Sequence, residues 1–309
     1  MVELELTEFL AQGPKSTADI AKHCNLSESA TLVLLRALKS LSLLIHYEPN
    51  WWSLDELGAA MLANPGISAM VHHHKILYQD LIDPVAMLRD RSNSQLAQFW
   101  NYQPDEEAQK TSYSELMARS QSMIADYVLD RVDLSAVKNL MDIAGGTGAF
   151  ASSVAQRWPN ISVSVLDLPQ VVAEASHRVA NDCPITFLAG DMFSGPLPRG
   201  RDCISLVRVL HDHDDGPVQN LLNRVHAALD PGGSIIIAEP MAETPGAEAI
   251  GGSYFGFYLW TMGSGRARTV AELSGMLRQA GFTDAREIKT GVPSLVRVIT
   301  AQKKSVNFV

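Results

Sequence analysis

The sequence is poor in cysteine, in long apolar runs and in basic residues. Its three cysteines lie far apart along the chain and lack paired metal-ligand spacing, so neither disulfides nor a zinc site is expected. No run of about 18 uninterrupted apolar residues occurs, which argues against stable membrane insertion. The first residues are acidic, unlike the basic start of a signal peptide, and this predicts a cytoplasmic protein.

The formal net charge is −9, and this acidic balance argues against broad nucleic-acid binding. It says nothing decisive about a small-molecule substrate. With 309 residues, of which 46% are hydrophobic, the chain can bury a large core and is long enough for two domains.

The most informative segment that the sequence does contain is a glycine loop, Asp142 to Gly148. A short apolar stretch precedes it and a helical pattern from Ala149 to Trp158 follows it, so the loop joins a strand to a helix. Gly146 and Gly148 can adopt backbone angles closed to other residues and let a ligand approach the main chain. The loop lacks both the G-x-G-x-x-G pattern and the Lys-Ser or Lys-Thr of a phosphate loop, which disfavours NAD and ATP. By itself it is also compatible with a simple tight turn.

Three later predicted strands each lead into polar side chains. The strands span residues 161–166, 185–188 and 203–210. They lead, in chain order, to Asp167, to Asp191 with Met192, and to His211 with Asp212. Because the carboxyl ends of parallel strands meet at one edge of a sheet, these side chains are expected to surround a ligand there. Asp167 is then placed for ribose hydroxyls, and Asp191 and Met192 for an adenine.

This order of acids and glycines resembles the S-adenosylmethionine (SAM) methyltransferases of the Rossmann-like class. The first glycine of that family's loop is Ala144 here. The resemblance implies SAM as the cofactor and S-adenosylhomocysteine (SAH) as the product. The cofactor-binding residues that it implies are Asp142, Gly145, Gly146, Gly148, Asp167, Leu168, Asp191, Met192 and Arg208.

The first part of the chain is predicted to be a separate unit. Two helical segments, Thr17 to His23 and Ser27 to Leu44, precede a short hairpin from Ile45 to Leu54, which is a winged-helix pattern. Winged helices often bind DNA, but the second helix has only Arg36 and Lys39 as cations and the hairpin has neither arginine nor lysine. A core or subunit contact is therefore favoured. A winged-helix regulator that senses SAM, or a non-catalytic SAM-binding relative, stays open as an alternative of another class.

Helical segments predicted for residues 66–88 and 113–132 link the two units and are placed to wall a pocket. His72, His73 and His74 are consecutive on a helix, so their side chains diverge and no metal site is expected. Aromatic and methionine side chains in this region and in the segment 254–262 line an apolar pocket or belong to plain core. They are Phe99, Trp100, Met117, Met123, Tyr254, Tyr258 and Met262.

Nearly the whole chain resembles the caffeate-type small-molecule O-methyltransferases. The motifs that carry the resemblance are Asp142 to Gly148, Leu166 to Pro169, Gly190 to Phe193, Val209 to Asp212, Pro231 to Gly233 and Ala238-Glu239. It implies a homodimeric α/β protein, with a Rossmann-like SAM methyltransferase sheet and an N-terminal helical winged-helix dimerisation domain. The implied domains are a dimerisation domain at residues 1–90, a helical linker and pocket wall at 91–135, and a methyltransferase domain at 136–309.

The same resemblance implies the catalytic groups. His211 is the candidate general base, Glu239 would hold its imidazole in the useful tautomer, and Asp212 would support the loop. His213 is the less favoured base, because the family usually has tryptophan at its position. A second family acid falls on Ala267, so the two-acid clamp on the histidine is incomplete and phenol chemistry is less favoured.

Two segments narrow the resemblance. Ile204 to Asp215 and Tyr254 to Tyr258 look like the hydroxycarotenoid O-methyltransferases of purple phototrophs. Those enzymes methylate the 1-hydroxyl of demethylspheroidene and hydroxyneurosporene, which implies a small hydrophobic substrate and makes transient membrane contact plausible. Methylation of a phenolic or polyketide hydroxyl, or of a carbon of a bacteriochlorophyll precursor, stays open.

Overall fold

The structure, a computed structural model, describes residues 1–100, 121, 123–178 and 185–305. The chain divides into two compact units, Met1–Lys75 and Ile76–Val309. The three-part division expected from the sequence, with boundaries at residues 90 and 135, stays a prediction. Within the described residues, no helix combines the length and the apolar character needed to cross a membrane.

The first unit packs helices against a small antiparallel sheet of strand order β1-β3-β2. Its elements are a 3-10 turn Val2–Leu4, α1 Leu6–Ala11, β1 Lys15–Ser16, α2 Thr17–Cys24, α3 Glu28–Ser40, β2 Leu44–Glu48, β3 Trp51–Leu54 and α4 Glu56–Ala63. Ser27 caps α3 by accepting a hydrogen bond of 3.2 Å from the amide of Ala30, as the sequence predicts. The predicted helix pair and hairpin are confirmed, except that α3 ends at Ser40 and Leu44, predicted as helix, begins β2. The sequence does not predict α1 and β1, because elements this short show no clear hydrophobic period.

Further helices connect this sheet to the larger one. They are α5 Pro65–Asp80, α6 Pro84–Arg89, α7 Gln95–Trp100 and α8 at residues 123–129. The single helix predicted for residues 66–88 is wrong, because Asp83 and Pro84 begin a new helix. Asp83 Oδ1 accepts hydrogen bonds from the amides of Val85 and Ala86 at 3.1 and 2.9 Å, and proline needs no such partner at the first helical position. Of the segment predicted helical at 113–132, residues 113–120 and 122 lie outside the described residues.

The three consecutive histidines on α5 diverge, as the helical spacing predicts. His72 is exposed, His73 is buried and His74 is half-buried. Burial, reinforced by the charge of His74, lowers the pKa of His73 to about 4, so this ring is neutral at physiological pH. The three rings therefore do not converge on one point.

The second unit is built on a seven-stranded sheet of order β6-β5-β4-β7-β8-β10-β9. Its strands and main helices are β4 Asn139–Ile143, α9 Ala149–Arg157, β5 Ser162–Asp167, α10 Pro169–Arg178, β6 Ile185–Ala189, β7 Arg201–Val207, α11 Asp215–Ala228, β8 Leu229–Glu239, α12 Phe255–Met262, α13 Val270–Gln279, β9 Thr283–Ile288 and β10 Arg297–Gln302. Strands β4 to β8 are parallel, and β10 runs antiparallel to both of its neighbours. The α/β sheet predicted from the sequence is confirmed.

Helices cover both faces of this sheet, which is why its parallel strands are nearly continuous apolar runs. On one face Leu206 and Ile237 pack with Leu221 of α11, and on the other Val163 packs with Phe150 of α9. All five residues named are at most 2% exposed. The core therefore fixes the carboxyl ends of β4, β5, β7 and β8 along one edge.

Strand β7 ends at Val207, three residues earlier than the sequence predicts. Arg208 has a φ of 58°, which turns the chain out of the sheet, and Leu210–Asp212 form a 3-10 turn. The apolar residues Val209 and Leu210 prolong the strand pattern in the sequence although they are buried in a turn. His211 therefore lies on a tight turn just beyond the sheet edge, not at the end of a strand.

Candidate active site

The glycine loop leaves β4 and enters α9 through several left-handed backbone positions. Ala144, Gly146 and Gly148 have φ of 54°, 58° and 82°, the region that favours glycine. Ala144 occupies the position where the related family has glycine, at a cost of about 1 kcal/mol. A Cβ on Gly148 would lie 3.1 Å from Phe187, whereas one on Gly146 would meet no atom within 4 Å. Space beside Gly146 is thus open for a ligand.

Asp167, at the end of β5, closes over this loop. Its Oδ2 accepts a hydrogen bond of 2.7 Å from the amide of Gly146, and its Oδ1 accepts one of 2.7 Å from the amide of Leu168. Burial raises the pKa of this carboxyl, and the two backbone hydrogen bonds oppose the rise. A carboxylate has about four acceptor sites, so two stay available for ligand hydroxyls.

Asp142 lies beneath the loop and is 1% exposed. Its Oδ1 accepts a hydrogen bond of 2.6 Å from the Ser205 hydroxyl, and its Oδ2 has no partner among the described residues. Burial raises the pKa of Asp142 to about 7; the Ser205 hydrogen bond lowers it and the charge of Asp167 raises it further. A Cβ on Gly145 would lie 2.4 Å from Oδ2, so only glycine fits there. An orphaned carboxylate oxygen below an open glycine loop fits a ligand that carries positive charge and hydroxyl donors.

The loop after β6 is held by Asp191 and by Arg224, of which the sequence pattern does not reveal Arg224. Asp191 is exposed and accepts hydrogen bonds of 2.8 Å from the amide of Phe193 and the hydroxyl of Ser194, which lower its pKa. Arg224 of α11 donates to the carbonyls of Phe193 at 2.9 Å, of Ser194 at 3.0 Å and of Gly195. Next to Asp191, Met192 packs half-buried on the sheet core. This loop is therefore fastened to α11.

His211 is 5% exposed and lies between two carboxylates. Its Nε2 is 3.1 Å from Asp212 Oδ1, and its Nδ1 is 3.8 Å from Glu239 Oε1. Nδ1 has no hydrogen-bond partner among the described residues. Burial alone would lower the pKa of His211, but the negative charges of Asp212 and Glu239 outweigh it and the pKa is raised above its usual value.

The structure differs from the sequence prediction in how the two acids share this work. Glu239, which is 1% exposed, accepts hydrogen bonds from the amide of Val209 at 3.2 Å and from the amide of Leu210. Glu239 thus holds the loop backbone, and Asp212 makes the closer contact with the imidazole. Glu239 also acts on the imidazole, since its charge raises the pKa of His211, and the 3-10 turn adds the closer contact from Asp212.

Arg208 stands at the end of β7, close to these groups. Its amide donates to the carbonyl of Ala238 at 2.8 Å, which ties the end of β7 to β8. Its positive charge lowers the pKa of His211, of Asp212 and of Tyr254. Burial outweighs this for Tyr254 and raises the pKa of that phenol to about 12, so it stays neutral.

The pocket candidates of the segment 254–262 come together. Tyr254, Tyr258 and Met262 share an apolar cluster with Leu77 and Leu96. A π-helical turn, Ile250–Tyr254, precedes α12 and sets this orientation. Ala267, at the position of the family's second acid, packs on the same cluster. Phe99 and Met123 are half-buried, whereas Met117 and the side chain of Trp100 lie outside what the structure describes.

Comparison with known proteins identifies the family of the chain. Residues 78–283 match the O-methyltransferase domain family. Demethylspheroidene O-methyltransferase of Rhodobacter capsulatus is 40% identical over 308 residues, which cover 98% of this chain and 77% of the relative. The enzyme of the same name from Cereibacter sphaeroides is 38% identical over 315 residues, covering 99% of this chain and 83% of the relative.

A solved structure extends the likeness to three dimensions. Human N-acetylserotonin methyltransferase in complex with SAM superimposes with a TM-score of 0.81 at 26% identity, covering 98% of this chain and 92% of that one. The family match and the two relatives identify the family. The chain belongs to the O-methyltransferase family.

Proposed function

We propose that the acceptor of this SAM-dependent O-methyltransferase is the hydroxyl of a long apolar molecule, namely the 1-hydroxyl of a carotenoid of the demethylspheroidene or hydroxyneurosporene type. The observation that carries the proposal is a buried imidazole between two carboxylates, next to an apolar cluster where the second acid is replaced by Ala267. Full-length similarity to two demethylspheroidene O-methyltransferases supports the same acceptor.

The residues at the sheet edge fit SAM. When bound, SAM supplies an activated methyl group. Asp167 offers free acceptor sites to ribose hydroxyls, and Asp191 with Met192 offers an acceptor and an apolar side chain to adenine. The glycine loop leaves room for the amino-acid end, and the unpartnered Oδ2 of Asp142 offers a hydrogen-bonding oxygen beneath it.

The protein's part in the reaction is to remove a proton. The neutral imidazole of His211 accepts the proton of the acceptor hydroxyl, and its two nitrogens, Nε2 and Nδ1, lie 3.1 Å from Asp212 and 3.8 Å from Glu239. An oxygen lone pair of the acceptor would form the bond to the methyl carbon as the carbon–sulfur bond of SAM breaks, giving SAH. The O–H electron pair stays on the ether oxygen and the proton goes to His211. Glu239 and Asp212 then stabilise the imidazolium.

An apolar acceptor fits the surroundings of the base. A phenol loses its proton near pH ~10, whereas a tertiary alcohol is far less acidic and needs proton removal concerted with methyl transfer. Such an acceptor depends on positioning and on exclusion of water. The cluster of Tyr254, Tyr258 and Met262 supplies apolar surface for this purpose.

The pH dependence of kcat/KM is expected to follow His211. The base must be neutral, so kcat/KM is low in acid and rises through the His211 pKa of the free enzyme, with a midpoint above ~6.5 because that pKa is raised. The charged and titratable groups that act on the ring are Asp212, Glu239, Arg208 and His213. Replacing Asp212 with asparagine removes a negative charge and is expected to move the midpoint to lower pH. A midpoint that moves upward in this variant would contradict the assignment.

An acceptor panel tests the proposed substrate. Purified protein with labelled SAM is offered hydroxyneurosporene, bacteriochlorophyllide and simple phenols. We expect kcat/KM for the hydroxycarotenoid to exceed that for the others by at least about 100-fold, since a small phenol buries less apolar surface and the polar groups of a bacteriochlorophyllide would lose water beside an apolar cluster. Preferential methylation of a phenol or of the bacteriochlorophyllide would replace this substrate with one of the two alternatives. The homodimer, the cytoplasmic location and transient membrane contact stay predictions from the sequence.

A further inference from the structure

Arg268 is a buried arginine that grips the turn carrying His211. It is 1% exposed and precedes α13. Its Nη1 donates to the carbonyl of Leu210 at 2.8 Å, and its Nη2 donates to the carbonyl of His213 at 2.7 Å. Its Nε donates to Asp215 Oδ1 at 2.8 Å. One guanidinium thus binds the backbone on both sides of His211 and the first residue of α11.

The rest of the same segment contacts the remaining residues of the turn. The Ser264 hydroxyl donates to the carbonyl of Asp212 at 2.8 Å. Gly265 lies so close that a Cβ on it would be 2.0 Å from the carbonyl oxygen of His211. Together with Arg268, the segment 264–268 therefore touches the backbone of every residue from 210 to 213.

Burying a guanidinium is costly unless its donors are satisfied, so arginine is rarely fully buried without a specific set of acceptors. Here the acceptors lie in three directions around one turn, which suits the rigid planar fork of arginine and not the single ammonium of lysine. The arrangement fixes a backbone segment of which His211 is the centre.

We propose that Arg268 is a positioning residue for His211, holding the 210–213 turn so that the imidazole stays between Asp212 and Glu239. This inference rests on the proposed role of His211 as the base. Arg268 itself does not touch the reacting atoms; it acts through the backbone of the turn.

Arg266 provides a matched control within the same segment. It pairs with Asp215 Oδ2 at 3.0 Å and with Glu272 Oε1 at 2.9 Å, and both partners are side chains at the surface. Its side chain is 43% exposed, against 0% for Arg268. Both arginines therefore share Asp215, and they differ in contact with the turn.

The test compares Arg268→Lys with Arg266→Lys in the full-length protein. For Arg268→Lys we expect kcat to fall by about 10- to 100-fold while the Kd for SAH stays within about twofold, because a shift near 1 Å in the base costs rate more than cofactor binding. The pH midpoint of kcat/KM is expected to move, since the distances from His211 to its two acids change. Arg266→Lys should change neither quantity. An unchanged kcat and midpoint in folded Arg268→Lys, or an equal loss in Arg266→Lys, would overturn the proposal.

A pair of glycine variants decides the matter if Arg268→Lys does not fold. Gly263 and Gly265 have similar φ of 89° and 82°, so alanine is strained at both. A Cβ at Gly263 has its nearest contact 3.7 Å away, at Ala97, whereas one at Gly265 clashes with the His211 turn. We expect Gly265→Ala to lower kcat and Gly263→Ala to change it far less. Equal losses in both variants would contradict a positioning role for this segment.

Combining variants separates this inference from the proposed function. If His211→Ala lowers kcat by about 10²- to 10⁴-fold, as expected, adding Arg268→Lys to it should cause little further loss, because residues that act as a unit are non-additive. If His211→Ala is inactive but Arg268→Lys turns over normally, the positioning role alone fails. If His211→Ala retains wild-type turnover, the base assignment fails, and with it the inference.

Discussion

Replacing His211 with alanine is expected to lower kcat by about 10²- to 10⁴-fold, the usual contribution of a positioned general base. The variant removes the ring that accepts the hydroxyl proton and leaves two carboxylates, Asp212 and Glu239, facing an emptied site. Neither acid replaces the base well, because a carboxylate is a weak base near neutral pH. Apart from Arg208, the residues expected to hold SAM lie on other loops, so calorimetry should give a Kd for SAH within about twofold of the wild type.

His213→Ala is the matched control for this experiment. His213 lies two residues along, and its ring packs edge-on against Phe193 with centroids 4.8 Å apart. Its pKa is lowered by burial, so it is neutral at physiological pH and stands as the alternative base. We expect only a modest loss of turnover in His213→Ala. A large loss there, with turnover retained in His211→Ala, would transfer the role of base to His213.

Replacing Asp167 with alanine is expected to weaken SAH binding by about 100-fold, or about 3 kcal/mol. The change removes the acceptor expected to bind the ribose hydroxyls, and it also frees the amides of Gly146 and Leu168 that hold the glycine loop closed. Both losses weaken the cofactor site, and hydrogen bonds to a charged acceptor are worth about 1.5–3 kcal/mol each. Isothermal titration with SAH measures the effect directly.

The control for Asp167→Ala is Asp202→Ala. Asp202 lies near the start of β7, at the amino-terminal ends of the parallel strands and away from the glycine loop. Asp202 also accepts two backbone hydrogen bonds, from the amides of Lys138 and Asn139, each 2.9 Å long. Its removal costs the fold a comparable pair of hydrogen bonds far from the glycine loop. We expect Asp202→Ala to unfold at a lower temperature than the wild type and to bind SAH with the wild-type Kd. An unchanged Kd in Asp167→Ala, or equal weakening in both variants, would show that Asp167 has no role in the cofactor site.

The sequence predicts the central strands well because their physical signals are local. Apolar runs between glycine and proline locate β4, β5 and β6 to within about two residues, which is the usual precision of such boundaries. The acids at the ends of these strands follow from parallel topology. For the same reason the glycine loop and Asp167 meet in space, as their hydrogen bond shows.

The features that the sequence does not reveal depend on distant partners. Arg268 donates hydrogen bonds to carbonyls 55 and 58 residues away along the chain, and Arg224 donates to carbonyls about 30 residues away. No local pattern marks either residue. Asp212 lies 3.1 Å and Glu239 3.8 Å from the ring nitrogens of His211, and this difference follows from the folded turn, which the sequence does not reveal. By contrast, Asp83-Pro84 is a local helix start, so the break between α5 and α6 could have been found.

Helix α11 carries a contact to each of the two loops that must cooperate. At its first turn Asp215 receives Arg268, which grips the His211 turn, and nine residues later Arg224 grips the loop after Asp191. At a rise of 1.5 Å per residue, these two anchor points are separated by about 13 Å of rigid helix. Because both loops are fixed to one rigid helix, a thermal displacement of this helix moves both loops in the same direction. We therefore expect the distance between the loop expected to hold adenine and the turn that carries the base to stay constant when the surrounding fold fluctuates.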